Sequence, residues 1–118
     1  MAIISDPTEE HLYILESERE LEEHQQTKWY YRTPTGREMA KIQKTAGFDG
    51  KDSSTASLVL AEAVRLCLVR WENLLDRKGQ EMPFSPEARD RLSYPVMAEL
   101  GGEILNSAEL SMGGAKNC

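Results

Sequence analysis

Two histidines, two cysteines and 20 carboxylates are the side chains from which this chain could build a catalytic or metal-binding site. Their spacing argues against both. His11 and His24 stand thirteen residues apart, and the chain has no His-Glu-x-x-His or Cys-x-x-Cys pair to offer a metal two ligands from one element. Cys67 lies in the most apolar segment and Cys118 is the last residue, which makes a poor disulfide framework. With no histidine near it in sequence, Cys67 reads as an inert core thiol. There is no Gly-x-Ser-x-Gly elbow for a nucleophile, and Gly113-Gly114 follows no strand that could set it up as a phosphate cradle. Glu99 and Glu103 are one helical turn apart and could share acid and base roles, but that spacing also describes an ordinary solvated helix face. The expectation is a protein that is not an enzyme, with no catalytic, cofactor-binding or metal-binding residues and no cofactor.

Charge sets the class of partner. The net charge of −6 is uneven: residues 1–26 hold eight acidic side chains and one Arg, whereas residues 27–51 hold six basic and two acidic. An acidic chain is a poor ligand for nucleic acid, so none is expected as a partner. The basic block of Lys28, Arg32, Arg37, Lys41, Lys44 and Lys51 reads as solvated or paired with the acidic N-terminus. DNA binding through Arg37, Lys41 and Lys44 on one helix is the weaker alternative. No apolar run approaches the roughly 20 residues that span a bilayer, so no membrane is expected. The start, Met1 to Pro7, lacks a basic stretch and a cleavage site, and the expected location is the cytoplasm.

The elements that must position any site are legible in outline. His11 to Leu15 and Lys28 to Arg32, rich in aromatic and branched residues, predict short strands. Glu16 to Glu23 between them has helical propensity but a single apolar residue, Leu21. Thr35 and Glu38 have capping-box spacing and open a helix that carries Met39, Ile42 and Ala46 on one side and ends at Gly47. Phe48 to Ser57 reads as a loop.

Periodicity predicts the main element over Thr55 to Leu75. At about 100° per residue, an apolar arc about 160° wide holds Val64, Leu68, Trp71 and Leu75, the expected core anchors. A second strip of Leu58, Val59, Leu66 and Val69 interrupts the polar face and reads as a partner-binding surface. Burying roughly 400 Å² of it would give on the order of 10 kcal/mol before association costs. Ser85-Pro86 caps a short helix, and Pro95 opens another with Val96, Met97, Leu100, Ile104 and Ala108 on one arc. Gly101 and Gly102 imply close packing there or a local break. The predicted fold class is mainly α: a small single domain around a central long helix, with a minor short β element near 28–32 and 81–84. Residues 1–27 would form an acidic segment carrying a short strand, 28–110 the helical domain, and 111–118 a flexible tail.

Three segments together resemble the tail assembly chaperones of long-tailed bacteriophages. They are Lys28-Trp-Tyr-Tyr-Arg-Thr-Pro-Thr-Gly-Arg-Glu38; Val69-Arg-Trp-Glu-Asn-Leu-Leu-Asp76 followed by Gly79 and Met82-Pro-Phe-Ser85; and Leu92-Ser-Tyr-Pro95 followed by Leu100 and Ile104. The likeness covers roughly residues 28–106. It implies a protein of the bacterial host cytoplasm, absent from the mature virion, that keeps the tape-measure protein soluble and recruits tail-tube subunits around it. A homo-oligomer is compatible with that role. Another phage or bacterial adaptor, such as a head–tail connector or a small regulatory binding protein, is the alternative. The resemblance also implies a longer form made by programmed frameshifting. Ala115-Lys116-Asn117 permits the slippery heptamer A-AAA-AAC, which places the expected slip at Lys116 and Asn117.

Overall fold

Neighbouring side chains of an extended chain point to opposite faces, so Trp29 and Tyr31 can turn inward together only if Tyr30 turns out. That alternation sets the frame of the molecule. The computed structural model describes the backbone of residues 9–46 and 53–116 and the side chains of 9–44 and 56–108. In chain order the elements are β1 (His11–Tyr13), β2 (Lys28–Tyr31), α1 (Gly36–Ala46), α2 (Ser53–Cys67), β3 (Leu68–Glu72), α3 (Pro86–Asp90) and α4 (Tyr94–Lys116). The strands form an antiparallel sheet in the order β1-β2-β3. Trp29 lies opposite Trp71 in register, and their rings meet edge to face at 5.5 Å. Phe84 stands edge-on to Trp71 at 4.9 Å, and the Trp71 indole N–H donates to the Met82 carbonyl at 2.7 Å. Ile42 of α1, Ala63, Val64 and Cys67 of α2, and Leu100 and Ile104 of α4 close the core against this inner face. The outer face carries Leu12, which is exposed, and Tyr30, whose ring lies under the Arg70 guanidinium at 3.8 Å.

This arrangement of sheet and helices corrects the mainly α domain around a central long helix that periodicity predicts. The helix expected over 55–75 ends at Cys67, and the chain runs straight into β3. Helical periodicity reads through this junction because of a β-bulge. Tyr31 pairs with Leu68 and Tyr30 with Arg70, so Val69 is an extra residue without a partner across the ladder. The bulge lets Leu68 and Trp71, three apart, both point into the core, where they are 5% and 6% exposed. An inward pair at that spacing imitates a helix. Leu75 is corrected with it. Beyond β3 the helical arithmetic no longer applies, and Leu75 is 54% exposed rather than a core anchor. Val64, Leu68 and Trp71 are core as expected.

Local signals fare better. The Thr35 hydroxyl accepts the Glu38 N–H at 3.2 Å while the Glu38 carboxylate accepts the Thr35 N–H at 3.0 Å, a reciprocal capping box. Ser85 caps α3 by accepting the Ala88 N–H at 3.0 Å. On α4, Leu100, Ile104 and Ala108 are buried. The helix runs unbroken through Gly101, and a Cβ there would lie 2.7 Å from the Leu60 carbonyl oxygen. Close approach of α4 to α2 therefore explains that glycine. The backbone of α4 is helical to Lys116, where an unstructured tail is expected from residue 111. Likewise α2 begins at Ser53, inside the expected Phe48–Ser57 loop; Gly47 and residues 48–52 lie outside the described residues.

Candidate functional site

The segment joining β1 to β2 is too poor in apolar residues to bury a helix face, so hydrogen bonds rather than packing must fix it. Leu15, 8% exposed, anchors its start. Two single 3-10 turns follow, Glu16–Glu18 and Glu23–Gln25, and the Leu21 N–H donates to the Glu18 carbonyl at 3.0 Å. The Gln26 side-chain amide then clasps the loop, donating to the carbonyls of Glu18 at 3.0 Å and Leu21 at 3.2 Å. Buried Thr27 donates its N–H to the Glu18 carboxylate at 2.9 Å and its hydroxyl to the Asn73 carbonyl at 3.0 Å.

Asn73 joins the two halves of this end. Its φ of 62° is left-handed, a conformation that asparagine tolerates better than most residues, and it turns the chain out of β3. Its side-chain amide donates to the carbonyls of His24 at 2.8 Å and Gln26 at 3.1 Å. Leu74 and Leu75 follow in a short hairpin. The Met82 N–H donates to the Leu74 carbonyl at 2.7 Å, Leu75 bridges Glu81, and Asp76 accepts the N–H groups of Lys78 and Gln80.

Between these two braced segments lies a groove of about 490 Å³. Leu21, Leu74 and Leu75 supply its apolar wall, and Glu18, Thr27 and Asn73 its polar floor. Leu21 is 44% exposed and Leu75 54%. Glu16, Glu20, Glu22 and Glu23 stand exposed on the same connection. Of the cations nearby, Lys28 is bridged to Glu23 at 3.0 Å, and Arg19 lies over the Tyr13 ring with its Nε donating to the Ile14 carbonyl. The end of the molecule is thus an apolar groove with an acidic rim on a hydrogen-bonded frame. Comparison of the chain with protein-family models, with curated proteins and with solved structures finds no match to any of them.

The strip expected to bind a partner lies outside the lining of this groove. Leu58 is exposed on α2, Val59 and Leu66 pack partly against the core, and Val69 is the bulge residue of β3. Lys116 ends α4, and Asn117 lies outside the described residues. Sequence reasoning does not reach the groove residues, because helical periodicity absorbs Leu75 and Leu21 stands alone among carboxylates. A lone leucine in an acidic run, next to a Gln able to clasp a turn, is the signal that could have found them.

Several titratable groups elsewhere are engaged in holding the fold. Glu99 accepts the Tyr13 hydroxyl at 2.6 Å and the Glu16 N–H at 2.8 Å, and Glu103 accepts the Tyr31 hydroxyl at 2.7 Å. The pair that spacing suggested was a solvated face is therefore a polar seam fastening α4 to the sheet. Burial, and then the bond to Glu99, pushes the Tyr13 phenol up to about 12; burial and Glu103 raise that of Tyr31. Burial likewise pushes the Cys67 thiol up to about 12, which leaves it little thiolate character. The Arg32 guanidinium forks onto the Glu38 carboxylate and also donates to the Leu66 carbonyl at 2.8 Å. That bond holds the Glu38 carboxyl down at about 2. Among the described residues no His, Cys, Asp and Glu side chains gather in a group able to hold a metal ion, and no helix is long and apolar enough to cross a membrane.

Proposed function

We propose that this protein is a binding protein of virion assembly, a tail assembly chaperone that keeps the tape-measure protein soluble and helps to bring tail-tube subunits to it. The observation that carries the reading is the pair of leucines held half-exposed on a hydrogen-bonded frame. An exposed leucine on an ordered frame forgoes burial, and completing that burial is worth on the order of 1 kcal/mol each. A partner gains that contact without having to order the loop first, because Gln26 and Asn73 have already done so. The segment that most specifically resembles the chaperones, Val69 to Asp76 with Met82 to Ser85, supplies β3, Asn73 and one wall of this groove. A binder of this kind needs no catalytic group. It needs affinity weak enough to release its partner as the tube assembles, and a shallow groove with a few leucines suits that requirement.

Co-expression tests the reading. With the long helical tape-measure protein of the same genome, this chain should move the partner from the pellet to the supernatant. Leu21→Asp together with Leu75→Asp should return it to the pellet while the variant itself stays folded and monodisperse. A tape-measure protein equally soluble with and without the chain would overturn the assignment.

A further inference from the structure

We infer that the occupant of the groove is a basic amphipathic helix, with apolar side chains on one face and Lys or Arg flanking them. This rests on the groove being the partner site and adds the chemistry of the partner. Several backbone carbonyls at the walls are already bonded. Carbonyls of Glu18 and Leu21 accept from Gln26, those of His24 and Gln26 accept from Asn73, and that of Leu74 accepts from Met82. Leu75 leaves its N–H and C=O outside the hairpin, whose bonds run through Leu74 and Asp76, but one residue is too short an edge for β-addition. A helix, whose own backbone is satisfied, brings side chains alone and is the element that fits such a groove. Its apolar face would cover Leu21 and Leu75. Its flanks would meet Glu20 and Glu22, exposed beside Leu21, with Glu18 in the groove itself. The connection over residues 16–23 carries five carboxylates against one cation, Arg19, which keeps its charge over the Tyr13 ring; Lys28 is bridged to Glu23, and the His24 ring lies 3.4 Å from the Glu22 carboxylate. An acidic helix would set like charges against this rim and be repelled.

Two synthetic helical peptides separate the terms of the inference. Both carry leucines at i, i+3, i+4 and i+7; one is flanked by lysines and the other by glutamates. Each is titrated into the full chain by calorimetry at about 50 mM and about 500 mM salt, conditions that change screening strongly. The lysine peptide should bind at least about tenfold tighter at low salt, and the preference should shrink to about twofold or less at high salt. Glu20→Gln with Glu22→Gln should cut the preference while leaving the high-salt affinity in place. Leu75→Asp should abolish binding of both peptides. Equal binding of the two peptides, lost in Leu75→Asp, overturns the basic partner and leaves the groove reading standing. No binding of either overturns both. If the chain is dimeric at low salt and the lysine peptide dissolves the dimer, the occupant is a second copy, and the inference fails.

Discussion

Val69 decides how the chain between Thr55 and Leu75 is read. As the extra residue of a bulge it shifts Leu68 and Trp71 onto the same face, and the three-residue spacing then satisfies helical and extended readings alike. What was legible at single residues was whatever is settled within one turn. Thr35 with Glu38, and Ser85 with Pro86, cap helices by bonds that span three residues. What was not legible, Leu75 above all, depends on a register set by Tyr30 and Tyr31 forty residues away or more. Trp71 is core under either reading, packed between Trp29 and Phe84. Trp71→Ala should cost about 3–5 kcal/mol in a urea titration; a loss below about 1 kcal/mol would contradict the packing. The Trp29 indole N–H has no acceptor among the described residues, a cost of about 1–3 kcal/mol that the surrounding rings must offset. Acid tests a second residue. Glu38, held at about 2 by Arg32 against an ordinary 4.5, contributes its full stability above pH 4.5 and loses it as pH falls toward 2. Glu38→Gln should flatten the urea midpoint across that window relative to the parent, and an unchanged slope would show that the ion pair contributes nothing to it.

Among the elements, α4 shows most clearly how the packing is built. One face of it carries Leu100, Ile104 and Ala108 into the core, and another presents Glu99 and Glu103 to the tyrosines of the sheet, with Ser107 near Thr33. Its apolar arc was visible in the sequence because a helix repeats its contacts every turn. The polar seam was not, since nothing local tells a carboxylate that a phenol from residue 13 or 31 will reach it. The two adjacent glycines separate packing from propensity. Gly101→Ala would drive a Cβ to within 2.7 Å of a backbone oxygen of α2, and should destabilise the protein by about 1–3 kcal/mol. At Gly102 nothing lies within 4 Å of the added Cβ, and Gly102→Ala should be neutral or stabilising by up to about 1 kcal/mol. Thermal or urea unfolding of the two variants checks the pair, and equal effects would mean that α4 does not approach α2 as closely as described.

On the scale of the whole molecule, the sheet keeps one face for the core and ends in a braced groove with an acidic rim. The excess of carboxylates over residues 1–26 was plain in the sequence. That they would stand beside exposed leucines was not, because Leu21 and Leu75 are brought to one groove only by Gln26, Thr27 and Asn73. The proposed partner site is that groove; of the strip of Leu58, Val59, Leu66 and Val69, Leu58 is exposed, Val59 and Leu66 are partly buried against the core, and Val69 belongs to β3. The most direct measurement is the affinity of a tape-measure segment for the parent chain, for Leu21→Asp with Leu75→Asp, and for Leu58→Asp, with urea midpoints taken alongside. The groove variant should lose at least about tenfold in affinity at an unchanged midpoint, while Leu58→Asp binds like the parent. Binding that survives in the groove variant and disappears in Leu58→Asp would contradict the account.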